Sequence, residues 1–287
     1  MNATEQIDRK HEEDLQRLRG FRLLDDDFLT KCFDGDTKYI QLVLRIILEI
    51  PDLEVADVRT QVFVENLLNR SVRLDVVAAD SAGRKINVEI QRSDKGAGRK
   101  RARYNSSMMD ANLLRKSEKF DELPETYVVF ITEHDVLGKG RAVYHIDRYI
   151  LDTHEVFNDG SHILYVNGAY RDETPIGKLM HDFSCADPAD MNYEVLAERV
   201  RFFKESKEGV AIMCKVMEDM RNQTLLEGIR EGRKEGIKEG RKKGMQEGMR
   251  EVANRMLLEG KYSLEEIVNL TQLSQDEIKN LQAGQRG

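Results

Sequence analysis

Two short runs of alternating polarity, Arg73–Ala79 and Lys85–Gln91, constrain this chain more than any other feature. Side chains alternate across a strand, so each run predicts a strand with one apolar face. In the first, Leu74, Val76 and Ala78 point one way while Arg73, Asp75 and Val77 point the other. In the second, Ile86, Val88 and Ile90 oppose Asn87, Glu89 and Gln91. The connection Asp80-Ser81-Ala82-Gly83 is rich in turn formers, which predicts an antiparallel hairpin. A turn centred near Ser81 and Ala82 pairs residues whose numbers sum to about 163–164, setting Asp75 opposite Val88 or Glu89. One reading of the polar face is a solvated, half-exposed hairpin. Two facing carboxylates repel, however, unless a proton or cation lies between them. A hard divalent ion with oxygen ligands is the natural occupant.

The elements around this hairpin predict an α/β domain with a mixed sheet. A helix is expected from Thr37 to about Glu49, closed by Pro51. A further strand is expected at Gln61–Glu65, before the hairpin. After it comes the basic run RSDKGAGRKRAR, in which Arg92, Lys95, Arg99, Lys100, Arg101 and Arg103 face Asp94 alone. A long basic helix over Arg99–Phe120 follows, on which Arg101 and Tyr104 share a face. That face either contacts phosphates or is a solvated surface with Tyr104 packed on the sheet. Strands are expected at Thr126–Thr132 and His162–Val166, and helices from Pro175 onward.

Beyond Leu225 the chain changes character. Glycine recurs at 228, 232, 236, 240, 244 and 248 among Glu, Lys and Arg. Each glycine costs about 0.8–1.0 kcal/mol relative to alanine in a helix, so an isolated helix is opposed by about 5 kcal/mol. Ile229, Ile237, Met245 and Met249 leave a sparse apolar stripe, which predicts a helical linker that self-associates. Ser263/Glu266 and Ser274/Glu277 form capping-box patterns, each opening a short amphipathic run. With Val252–Leu258 they predict a three-helix unit, in which Lys279 and Arg286 are the cations of the last helix. The expected organisation is a polar lead-in at 1–24, an α/β domain at 25–205, a helical Gly-repeat linker at 206–259 and a small helical unit at 260–287.

Composition narrows the function. The net charge of −7 opposes a nucleic-acid partner overall, so any phosphate contact must come from a local field such as the basic run. Cys32, Cys185 and Cys214 are far apart and the histidines are scattered, which argues against a disulfide scaffold or a zinc site. The strongest apolar stretch, Ile40–Ile50, is broken by Gln41, Arg45 and Glu49 and reads as a core helix, so no membrane span is expected. The N-terminus MNATEQIDRKHEED lacks the apolar segment of a signal peptide, and a cytoplasmic location is expected.

The order D…ExQ on consecutive strands followed by an Arg-rich helix resembles the PD-(D/E)XK nucleases. More narrowly, it resembles the PD-(D/E)XK family transposases and recombination-promoting nucleases. The motifs that carry the likeness are DDDFLTKCFDGD, RSVRLDVVAAD, INVEIQRSD, KRARYNSSMMD, ELPETYVVFITEHDVLG, GSHILYVNGAY and GKLMHDF, with the Glu-Gly tail, across residues 20 to 250. The resemblance implies a restriction-endonuclease-like α/β fold: a mixed sheet core flanked by helices, here with a helical C-terminal extension. It implies Asp75 and Glu89 as metal-binding carboxylates, with the carbonyl of Ile90 as a further ligand. Mg2+ is the expected ion, with Mn2+ as a substitute. Gln91 stands where the wider superfamily has lysine, and glutamine orients a water but cannot take its proton. Asp26 fits a conserved acidic position in the N-terminal segment of the family, with Asp27 one residue away and a capping role open to either. Arg99, Lys100, Arg101, Arg103 and Tyr104 are the expected DNA contacts. Asn105 stands where relatives carry a tyrosine. The implied activity is metal-dependent DNA endonuclease action in recombination or mobile-element processing. The alternative is a DNA-binding or regulatory protein that keeps the fold without cutting and assembles through its C-terminal helices.

Overall fold

The apolar face of each element explains where it packs. In the computed structural model, which describes residues 3–66, 70–92, 96–115 and 117–284, the chain divides into Met1–Met217 and Glu218–Gly287. Lys95 of the basic run and Arg286 of the tail lie outside the described residues.

The first unit opens with helices α1 (Ala3–Arg19), α2 (Asp26–Phe33) and α3 (Thr37–Ile47). α3 buries Ile40, Val43, Leu44 and Ile47, the stripe its sequence predicts, and Asp36 caps it by accepting from the Lys38 N–H at 3.0 Å. Residues 1–24 are not merely polar, because Leu18, Leu23 and Leu24 are fully buried in the main core. Lys204 fixes this segment by donating to the carbonyls of Arg19, Phe21 and Ala186.

Strands β1 (Val55–Val64), β2 (Val72–Asp80), β3 (Lys85–Gln91), β4 (Thr126–Thr132), β5 (Val143–Ile146) and β8 (Ser161–Asn167) form one mixed sheet in the order β1-β2-β3-β4-β8-β5. A separate ribbon pairs β6 (Tyr149–Ile150) with β7 (Glu155–Val156). β3, β4 and β8 run parallel, while β1, β2 and β5 are antiparallel to their neighbours. Helix α4 (Arg99–Leu113) crosses between β3 and β4, and it ends well before the expected Phe120. β1 starts earlier than the expected Gln61, and β5–β7 are additional elements.

Two cores sandwich the sheet. On one face Val76, Ala78, Ile86, Val88, Ile90, Val129 and Ile131 pack with α2, α3, α5 (Pro175–Ser184) and α6 (Glu194–Glu205). On the other, Leu74, Val128, Phe130 and Tyr165 pack with Ala102 and Met109 of α4. Leu74 therefore does not share a face with Val76 and Ala78, as strict alternation requires. The reason is a local irregularity. Thr60 pairs with Val76 and Val62 with Leu74, but Gln61 and Asp75 between them are left out of the ladder. Gln61 has φ +52°, a left-handed value that breaks the pleat, and the side chains of both strands change face at this step.

The helix α7 (Lys207–Glu259) contains all six repeat glycines and begins in the first unit, where Met213 and Met217 are buried. In the second unit, Ala253 and Met256 of α7 pack with Ile267, Leu273 and Ile278 from α8 (Leu264–Thr271), α9 (Gln275–Gly284) and the turn between them. Both capping boxes form: Ser263 with Glu266 and Ser274 with Glu277. Ile229, Ile237 and Met245 are exposed. No described helix is long and apolar enough to cross a membrane.

Candidate metal centre and nucleic-acid interface

The hairpin register sets the site. Val76 faces Val88 and Ala78 faces Ile86, so continuation of the ladder brings Asp75 level with Glu89. The turn holds that register, because Asp80 accepts from the Arg84 N–H at 2.8 Å and from the Arg84 guanidinium, and Gly83 takes φ +89°. Glu89 lies near the carboxyl end of a strand in the parallel part of the sheet, the end at which α/β sheets open a crevice.

Both carboxylates are withdrawn from water. Asp75 is 7% exposed and Glu89 is 0% exposed. Asp75 accepts from the Ile90 N–H at 3.2 Å. A strand residue projects its N–H and C=O to the same side, so the Ile90 carbonyl is also directed toward β2. Glu89 accepts from the Asn87 amide at 3.0 Å through one oxygen and from Arg101 at 3.0 Å through the other. Burial, then the charges of Glu89 and Asp26, push Asp75 up to about 8. Burial also raises Glu89, against hydrogen bonds from Asn87 and the attraction of Arg101.

Asp26 stands in the first turn of α2 and keeps solvent access, yet desolvation by surrounding protein and the neighbouring Asp27 raise its pKa. Its charge is felt by both Asp75 and Glu89. Thr30 donates to Asp26 at 3.4 Å and accepts from Gln61 at 3.3 Å, which ties α2 to the irregular step in β1. Asp27 is raised by desolvation and opposed by Arg17, and its charge acts on Asp26. Neither aspartate caps α2; that position is Asp25, which makes no side-chain cap.

The chemistry of this donor set suits a hard divalent cation. Two buried carboxylates and a carbonyl are the oxygen ligands that Mg2+ takes while keeping several waters. Asn87 Oδ1 is buried without a hydrogen-bond partner, beside the Glu89 carboxylate that its own amide contacts. Among the described residues, no three His, Cys, Asp or Glu side chains stand at ligand spacing, so Asp26 is within electrostatic reach rather than ligand reach.

The basic helix lies over this pair. Arg70, Arg73, Lys100, Arg101, Arg103 and Tyr104 line a cleft of about 700 Å³, together with Ser71, Val72 and Asn105. Among the described residues, no carboxylate lines it. Arg101 reaches inward to Glu89, and Tyr104 donates to the Arg70 carbonyl. Arg99 turns away into a separate depression with Ala102, Leu137, Ile146, Ile163 and Tyr165. Arg92 is committed elsewhere, to Asp25 at 3.0 Å and Glu133 at 3.7 Å. Arg70 and Arg73 are absent from the sequence-level set of DNA contacts; their only signal there is the pair of arginines in RSVR at the start of β2.

Residues 35–170 match the family model of the PD-(D/E)XK nuclease family transposases. This segment is similar to that family. It contains the hairpin, α4 and the strands through β8, and its mixed sheet with flanking helices fits the restriction-endonuclease-like fold. The match is shorter than the span of residues 20 to 250 over which the motifs show likeness, so Asp26 and the Glu-Gly tail lie outside it. No curated protein and no solved structure matches the chain. PD-(D/E)XK nucleases generally use divalent metal ions, and the match supports a nuclease-like role for this domain.

Proposed function

We propose that this protein is a cytoplasmic, metal-dependent DNA endonuclease that hydrolyses phosphodiester bonds in recombination or mobile-element DNA. The observation that carries the reading is the burial of Asp75 and Glu89 side by side beneath a cleft lined by five cations. Asp75, Glu89 and the Ile90 carbonyl would hold Mg2+, or Mn2+ in its place, and Asp26 adds negative charge from α2. When bound, such an ion supplies Lewis-acid polarisation of the phosphodiester and a more acidic water. Gln91 orients a water through its amide without exchanging a proton. Lys100, Arg101, Arg103 and Tyr104, with Arg70 and Arg73, hold the phosphate backbone; Arg99, at the start of α4, contacts it from the separate depression. Cations in the first turn oppose the helix dipole, so their placement serves something other than α4 stability.

A second reading has one observation in its favour. Arg101 already neutralises Glu89, and Gln91 brings no charge, which suits a fold that binds DNA without cutting and assembles through its C-terminal helices. A supercoiled-plasmid assay separates the two. The nuclease reading expects nicking in Mg2+ and none in EDTA. Retarded but uncut DNA in both conditions, with retardation lost in a Lys100→Ala/Arg103→Ala variant, supports the binding reading.

A further inference from the structure

The cleft and the carboxylates meet at one side chain. Arg101 donates through one nitrogen to Glu89 at 3.0 Å, and through the other to Gln91 at 3.4 Å and the Gly96 carbonyl at 3.2 Å. Its side chain is 43% exposed on the opposite side, where it lines the basic cleft. The guanidinium thus touches a proposed metal ligand on one side and the expected path of the phosphates on the other. A divalent ion and this guanidinium compete for Glu89, because like charges sharing one carboxylate repel. The stem of arginine is long enough to stay packed while its head group moves.

We propose that Arg101 is an exchangeable counter-ion. It occupies Glu89 in the absence of metal, releases that oxygen when a divalent cation binds, and turns its guanidinium to a phosphodiester in the cleft. It thereby brings to the site the positive charge that Gln91 lacks. Arg101 is then a brake on metal binding and an asset for DNA binding at once, a combination that a purely structural ion pair does not produce. The inference rests on the reading of Asp75 and Glu89 as a metal-binding pair.

The test is calorimetric titration of Mn2+ into the full chain without DNA, for wild type, Arg101→Gln, Arg101→Lys and Asp75→Asn. Arg101→Gln removes the charge and is expected to bind Mn2+ about tenfold more tightly than wild type. Arg101→Lys keeps the charge and is expected to stay within about threefold of wild type, which separates charge from folding damage. Both variants are expected to bind duplex DNA more weakly in gel retardation. Mn2+ affinity in Arg101→Gln equal to or weaker than wild type overturns the counter-ion role and leaves the metal site standing. Wild-type affinity in Asp75→Asn, or no Mn2+ binding by wild type, instead overturns the metal site and the inference with it.

Discussion

Removing two carboxyls from water in one place costs free energy unless a proton or a cation joins them. Asp75 and Glu89 are in that position, and the sign of the resulting pH dependence follows from their raised pKa values. In the unfolded chain Asp75 titrates near 3.8, whereas in the metal-free fold it is pushed up to about 8. The folded state therefore holds its proton longer, and the stability linked to it is complete at acid pH and lost as pH rises through that window. Asp75→Asn removes the ionisation but keeps an acceptor for the Ile90 N–H. In EDTA at about pH 9 it is expected to be more stable than wild type by about 1–3 kcal/mol, with the gap closing toward about pH 4. Thermal melting across that range checks this; a wild type that melts higher at alkaline pH contradicts it. That Asp75 lies opposite Val88 or Glu89 could be read from alternation and a turn, since both are local properties of sequence. The places of Arg70, Arg73 and the orphaned Asn87 could not, because they depend on how α4 settles on the sheet. The spacing also left Asp26 and Asp27 open, and only the orientation of α2 directs the field of Asp26 to the pair.

At the scale of elements, strong local signals were legible and tertiary ones were not. β3 and β4 have the expected bounds residue for residue, though β3 buries both of its faces, and α3 buries its apolar stripe. β5, β6 and β7 are short and carry mixed side chains, so no alternation stands out in their sequence. The reversal of side-chain direction at Gln61 and Asp75 has no sequence marker, since the left-handed residue is a glutamine rather than a glycine. This step aims Asp75 and, through Thr30, touches the helix that carries Asp26. Gln61→Val puts a β-branched residue at φ +52° and is expected to destabilise the protein by about 1–2 kcal/mol. Gln61→Gly relieves the backbone and is expected to melt above the valine variant. Denaturant midpoints of the two variants check the order, and a valine variant as stable as the glycine one contradicts it.

For the whole molecule, the net charge of −7 and the cationic cleft pull in opposite directions. Affinity for DNA then depends on a few phosphate contacts within an acidic protein and falls steeply with salt. Lys100→Ala/Arg103→Ala is expected to reduce the slope of log affinity against log salt by about 2, measured by fluorescence anisotropy on a labelled duplex. An unchanged slope places the DNA elsewhere. The Glu-Gly repeat is helical, as the reading of it as a helical linker expects: α7 runs through all six glycines despite their low helix propensity. The central claim is that Asp75 and Glu89 form the cleavage centre of a metal-dependent nuclease. Its most direct test is nicking of supercoiled plasmid in Mg2+ by wild type and by the Asp75→Ala/Glu89→Ala double variant, with DNA retardation measured in parallel. The account predicts that wild type nicks while the double variant still retards DNA but leaves it supercoiled. Nicking by the double variant at the wild-type rate would contradict it.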